Sequence, residues 1–288
     1  WYCGSVLVPQ MLEMGYKVTI YDIQYYGSEF LPLTHPKLTV IKGDIRDKTL
    51  LTNEIPGHDC MIHLACISND PSFELNPSLG RSINLEAFQP LVEVSRDCGV
   101  ERFIYASTMY VYSPYGSFYR ATKQSAESII EVYAEKFGLD YSFLRYGSLY
   151  GPRANEFNGI RSFLTQALKN KKIIRRGDGE ELREYIHVKD AARLSVLVLD
   201  EKYNNKHLII TGNQQIKVKD LLTMIHEIFN GEIEIQFDLE EALHHYEITP
   251  YNYKPQLAQK ITSDTFYDLG QGILDLIFDL ETEMNKGN

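Results

Sequence analysis

The 288-residue chain has no run of about eighteen apolar residues, so no membrane-spanning helix is expected, and no signal peptide is visible. It has no basic stripe. With a formal net charge of -10, a nucleic-acid partner is not expected, because phosphate backbones need clustered Lys and Arg. Cysteine is sparse: Cys3, Cys60, Cys66 and Cys98 show neither C-x-x-C spacing nor paired histidines. That excludes a zinc ribbon and a disulfide framework, and the four read as small buried residues of a reducing cytoplasm, with no metal site. Internal repeats and low-complexity linkers are also lacking. The 44% of hydrophobic residues is ordinary for a globular protein.

The chain opens with "WYCGSVLVPQMLEMGYKVTIYD". Gly4 stands at the mouth of an amphipathic helix that ends near Gly15, and an apolar strand follows, closed by Asp22. In a dinucleotide-binding βαβ unit a helix N-terminus faces the pyrophosphate, and an acid about twenty residues later meets the adenosine ribose. Gly4 and Asp22 fit the last glycine and that acid. The first strand and the earlier glycines of such a unit are absent from this sequence.

Up to about residue 150, apolar runs ("KVTIYD", "LTVIKGD", "CMIHLAC", "RFIYAST", "YSFLRYGSLYG") alternate with helical stretches. Uniformly apolar strands separated by helices imply a parallel sheet covered on both faces, that is, an α/β, Rossmann-like doubly wound fold. Ligands of such sheets bind beyond the carboxyl ends of the strands, where Asp22, Asp44, the segment after His63, Thr108 and the stretch from Arg145 to Gly151 fall. After Gly151 the alternation loosens into a helix "GIRSFLTQALKN" and further helices near 217 to 229 and 264 to 284. The expected division is a dinucleotide-binding domain over 1–151 and a smaller, mainly substrate-binding lobe over 152–288, with some segments returning to the first domain.

Tyr119 and Lys123 lie four apart on a strongly helical segment and project from one helix face. An ammonium beside a phenol stabilises the phenolate, which makes Tyr119 usable as a base near neutral pH. A second pair, Tyr185 and Lys189, precedes Asp190, which reads as a helix cap. Its residues alternate as on a strand, where they would stand roughly 13 Å apart, so it is read as structural. Thr108, at the end of "RFIYAST", singles out the first pair. A hydroxyl at a strand end followed by a helix presenting Tyr and Lys gives a sugar hydroxyl one partner that holds its oxygen and one that removes its proton. The twenty tyrosines suit a wet, sugar-binding cleft, but they suit any surface equally.

These motifs, in this order, resemble the extended short-chain dehydrogenase/reductases of the NAD-dependent sugar-nucleotide epimerase/dehydratase group. "YD" at 21–22 and "GDIRD" at 43–47 are similar to adenosine-contacting segments, "HLAC" at 63–66 to the turn beside the cofactor, and Asn84 to the asparagine of an "IN" element. "ASTMYVYS", "YRATK" and "RYGSLYGPR" resemble the catalytic strand, the Tyr-x-x-x-Lys helix and the turn that follows, and "GDGEELREYIHVKDAA" the late segment whose Arg contacts a diphosphate. The resemblance implies NAD held by Gly4, Asp22, Asp44, Ile45, Leu64, Ala65, Asn84, Tyr119 and Lys123. It implies catalysis by Thr108, Tyr119 and Lys123, and a nucleoside-diphosphate sugar contacted by Ser68, Asn69, Ser148 and Arg183. Departures are Trp1 at the place of the second glycine, Ser148 for an asparagine, Ser113 for a glycine, and a short interval between Thr108 and Tyr119.

The implied activity is epimerisation at sugar C4 through a transient keto-sugar. The rivals are a 4,6-dehydratase or keto-sugar reductase on the same scaffold and, from another class, a non-catalytic NAD-binding regulator. Family dehydratases typically carry an Asp-Glu pair directly after the catalytic Thr, where this chain has Met109 and Tyr110. A homodimer is expected through apolar residues Ala126, Ile129, Ile130, Tyr133 and Phe137 of one helix and Leu85, Phe88, Leu91 and Val92 of an earlier one.

Overall fold

A computed structural model describes residues 2–68, 70–113 and 115–239. Asn69 and the expected helix near 264–284 lie outside the described residues. Along the chain the elements are α1 (Gly4–Glu13), β1 (Val18–Asp22), β2 (Leu38–Lys42), α2 (Lys48–Glu54), β3 (Cys60–His63), α3 (Asp70–Leu75) and α4 (Pro77–Arg81). A π-helical turn (Ser82–Glu86) leads into α5 (Phe88–Asp97) and β4 (Arg102–Thr108), and a 3-10 turn (Met109–Tyr112) precedes α6 (Ser117–Phe137). Then come β5 (Asp140–Tyr146), β6 (Ser148–Tyr150), α7 (Gly159–Asn170), β7 (Lys172–Arg176), β8 (Leu182–Arg183), β9 (Tyr185–His187) and α8 (Val188–Leu197). A 3-10 turn (Glu201–Tyr203), β10 (Lys206–Ile210), β11 (Ile216–Lys217), α9 (Val218–Ile228) and β12 (Glu234–Asp238) complete the described chain.

The central sheet runs β10-β5-β4-β3, and every pairing in it is parallel. β1 and β2 form a separate parallel pair. Parallel neighbours need crossovers, which α5 and α6 supply between β3, β4 and β5. All seven residues of β4 are buried, and successive side chains face opposite sides of the sheet. Phe103 and Tyr105 meet Phe88, Leu91 and Val92 of α5 and Ala126, Ile130 and Tyr133 of α6. Ile104 and Ala106 face Ala191 of α8 and Ile186 on the other side, where α1 also packs on α8. Both faces are covered, as a doubly wound fold requires.

The segments after Gly151 divide. α8 and β10 return to the central sheet, whereas α7, β7, α9 and β12 enclose a second core of Ala167, Ile173, Val218, Leu222, Ile225 and Ile233.

Two sequence expectations are corrected. The cap of α8 is His187, which accepts from Lys189 N at 3.3 Å, so the helix starts before Asp190. Asp190 instead lies in the first turn, where its charge favours the helix N-terminus. Tyr185 thus ends on a strand and Lys189 on a helix, which leaves the pair without a joint role. The second correction concerns the apolar residues assigned to a twin. Ala126, Ile130, Tyr133, Phe88, Leu91 and Val92 are buried against the chain's own sheet, and on α6 it is Phe118, Val132 and Phe137 that stay exposed.

Candidate functional site

The carboxyl end of β4 and the first turns of α6 bring Thr108, Tyr119 and Lys123 together. The 3-10 turn and Gly116 join the two elements. Gly116 adopts φ 103°, a left-handed conformation that favours glycine, and a Cβ there would come within 2.6 Å of the Tyr110 ring. The bend places Tyr119 in the first turn of α6. Tyr119, Lys123 and Thr108 are all buried, at 7%, 2% and 6% exposure, so the charge on Lys123 acts in a poorly screened environment.

Lys123 Nζ donates to Ala106 O at 2.6 Å and lies 4.7 Å from the Tyr105 ring centre and 5.8 Å from that of Tyr119. Thr108 Oγ1 accepts from Tyr110 N at 3.3 Å, and the Tyr110 ring meets that of Tyr119 edge-on at 6.1 Å. Beneath them His63 stacks on Tyr105 at 5.9 Å. Burial, and then the charge of Lys123, push His63 down to about 3, so it is neutral at physiological pH.

At the β1–β2 end, Asp22 closes β1 and its Oδ1 accepts from Gln24 N at 2.6 Å. Asp44 is clasped by Arg46 at 2.9 and 2.5 Å, which holds its carboxyl below the usual range, while Tyr21 OH donates to Asp44 O. Ile45 follows in the same turn. Leu64 packs beside the start of α1, where a Cβ on Gly4 would stand 3.6 Å from Leu64 Cδ1. Ala65 continues that loop. Asn84, buried in the π-helical turn, accepts from Ile67 N at 2.8 Å and donates to Ile67 O at 3.0 Å. Its described contacts therefore hold the loop after β3.

Pro9 inside α1 removes the helical donor to Ser5 O, and Arg153 supplies a substitute. Its guanidinium donates to Ser5 O at 3.2 Å and to Ser5 Oγ at 2.9 Å, tying the turn after β6 to the start of α1.

Ser148 opens β6 and Arg183 closes β8. β6 pairs with β9 so that Ser148 is in register with Tyr185, two residues beyond Arg183. Arg183 is buried and donates to Leu182 O at 2.8 Å. Ser68 is exposed on the loop after β3, and Asn69 is outside the described residues.

Glu127 and Ser107 escaped the sequence reading, although both adjoin the site. Arg145 was seen only as part of a motif. The signal was present: Tyr119, Lys123 and Glu127 succeed one another at helical four-residue spacing.

A family model described as the NAD dependent epimerase/dehydratase family matches residues 2–211. The chain belongs to that family. It is 26% identical to a UDP-N-acetyl-alpha-D-glucosaminuronate decarboxylase of Bacillus cytotoxicus, over 90% of this chain and 87% of that one. Among solved structures it is similar to a UDP-N-acetylglucosamine 4-epimerase from Methanobrevibacter ruminantium (25% identity, TM-score 0.77, 88% and 89% of the chains). It is also similar to a double mutant of the dTDP-glucose 4,6-dehydratase DesIV from Streptomyces venezuelae (25% identity, TM-score 0.76, 89% and 90%).

The donor set fits the family's NAD. Asp22 offers a carboxylate suited to ribose hydroxyls. Lys123 brings three N–H donors, of which one goes to Ala106 O. The packing around Gly4 leaves an ordinary van der Waals distance rather than a clash, so this chain's own neighbours do not dictate glycine there. Close approach of a phosphate to the backbone would.

Proposed function

We propose that this protein is an NAD-dependent epimerase of a nucleoside-diphosphate sugar, acting at C4. The observation that carries the reading is the buried convergence of Tyr119, Lys123 and Thr108 at one strand end. Tyr119 takes the proton of the sugar hydroxyl, Lys123 stabilises its phenolate, and Thr108 hydrogen-bonds the reacting oxygen. NAD, when bound, accepts the hydride and returns it. Rotation of the keto-sugar before the return inverts the carbon, and Tyr119 gives its proton back. Gly4, Asp22, Asp44, Ile45, Leu64 and Ala65 line the dinucleotide's path, with Asn84 fixing the loop that carries part of it. Ser68, Asn69, Ser148 and Arg183 contact the sugar nucleotide, and the second core of α7, β7, α9 and β12 belongs to the substrate lobe.

Epimerisation is favoured over elimination by Met109 and Tyr110. A buried thioether transfers no proton, and a phenol with an ordinary pKa of about 10 is a poor replacement for a carboxyl pair. The relatives named above span epimerase, dehydratase and decarboxylase, so the test must separate all three. With an accepted sugar nucleotide in deuterium oxide, the product is expected to be the C4 epimer, without ring deuterium and without carbon dioxide release. A deuterium-labelled 4-keto-6-deoxy product would overturn the reading in favour of a dehydratase, and loss of a carboxyl group in favour of a decarboxylase.

The assembly we propose is a cytoplasmic homodimer. The dimer is supported by the apolar side chains that α6 leaves exposed, Val132 among them.

A further inference from the structure

Tyr119, Lys123, Glu127 and Glu131 form one stripe along α6. Glu127 is buried and receives Arg145 of β5 through both oxygens, Nε to Oε1 at 2.9 Å and Nη2 to Oε2 at 2.6 Å. Ser107 donates to the same Oε1 at 2.5 Å. Ser107 stands between Ala106, whose carbonyl receives Lys123, and Thr108, and its partner in the β4–β5 register is Arg145 itself. The guanidinium also donates to Tyr112 OH, with the Tyr112 ring centre 4.7 Å away, in the turn directly after Thr108. On the outer side Arg145 Nη2 lies 3.0 Å from His207 Nδ1 on β10. Arg can only donate, so Nδ1 accepts and the ring proton sits on Nε2, 3.1 Å from Glu131.

A buried ion pair is a poor source of stability, since apolar residues of the same volume often do as well or better. This one has a different consequence. Glu127 stands about 6 Å along the helix from Lys123 and about 12 Å from Tyr119. An unpaired carboxylate there would draw the ammonium away from the phenol and oppose a phenolate. Arg145 occupies both oxygens and cancels the charge. Ser107 meanwhile fastens the strand end that carries Thr108. The described groups beside Tyr119 and Lys123 include Tyr105 from β4, Tyr110 from the 3-10 turn, the neutral His63 from β3 and, against Tyr105, Cys66.

We propose that Glu127 and Arg145 are positioning residues that set the acidity of Tyr119: the pair balances charge behind Lys123 and pins the Ser107–Thr108 end of β4 to the helix bearing the base. The proposal rests on the reading of Tyr119 as the base. Its direct readout is the ionisation of the Tyr119 phenol, followed by NMR of carbon-13 tyrosine and identified by the signal that disappears in Tyr119→Phe. The pH profile of kcat/KM is recorded alongside. Arg145→Met, which strands a carboxylate, is expected to raise that ionisation by about one pH unit, the effect of a unit charge about 12 Å away at an effective dielectric of about 20. Glu127→Gln, which strands a cation, is expected to lower it by a similar amount, and the double variant to return close to the parent. Shifts in the same direction, or none, would overturn the proposal. If Arg145→Met does not fold, Glu127→Gln decides alone: a downward shift supports the pair's role and any other result refutes it. Full turnover by Tyr119→Phe would instead sink the base reading, while the phenol titration would still judge the pair.

Discussion

His63 shows how one buried side chain can make the fold sensitive to acid. Its ring is enclosed by Tyr105, Phe88 and Phe103, and it remains neutral down to about pH 3, whereas the unfolded chain protonates it near its ordinary 6.5. Below 6.5 the unfolded state therefore binds a proton that the native state refuses. Stability falls by about 1.4 kcal/mol per pH unit until the folded pKa is reached. Between pH 7 and pH 5 the wild type is expected to lose about 2 kcal/mol more than His63→Phe, which keeps the aromatic stack and removes the titration. Urea unfolding of both proteins at the two pH values checks this, and equal losses would show that His63 does not carry the effect.

At the scale of elements, α6 is the part on which the site is built, and its two ends differ in what they ask of glycine. Gly116 and Gly138 both adopt left-handed conformations, φ 103° and 72°. A Cβ on Gly138 meets nothing within 4 Å, while one on Gly116 would press on the Tyr110 ring at 2.6 Å and on Arg120 Cβ at 3.1 Å. Gly138→Ala is expected to cost about 1 kcal/mol of stability and leave turnover unchanged, as a strained helix C-cap does. Gly116→Ala is expected to cost about 1–3 kcal/mol and also to lower kcat, because moving Tyr110 disturbs the ring beside Tyr119. Unfolding curves and turnover of the two variants separate these effects. Equal kinetics would show that the bend at Gly116 serves only the backbone.

For the whole molecule, assembly turns on what α6 leaves uncovered. Val132 is 45% exposed, on a helix face that also carries the exposed Glu131 and Glu135 and one lysine, Lys136, while Phe137, 54% exposed, lies about 140° around the helix from it. An isologous contact through this face would bring like charges together across the two-fold axis. A dimer of this kind is expected to tighten as salt screens them and to dissociate in Val132→Glu. Sedimentation at micromolar concentration over a range of ionic strength checks both outcomes. A monomeric wild type at every salt concentration would exclude the dimer.

Local chemistry is legible along the chain. The apolar runs became β1 to β5, "GIRSFLTQALKN" became α7, and the four-residue step from Tyr119 to Lys123 placed both on one face, because helix and strand periodicities act over a few neighbouring residues. The same periodicity could not say which apolar residues of α5 and α6 face their own sheet, nor that His187 rather than Asp190 caps α8. Those choices depend on what lies opposite. The sequence by itself determined the parallel α/β class and singled out Thr108, Tyr119 and Lys123 as candidates. Only the tertiary structure decided that Arg145 pairs with Glu127, that Arg153 completes the helix interrupted by Pro9, and that Asn84 holds a loop. Each of these contacts joins elements distant in the chain, and its partner is selected by burial and by the need to satisfy every enclosed polar group.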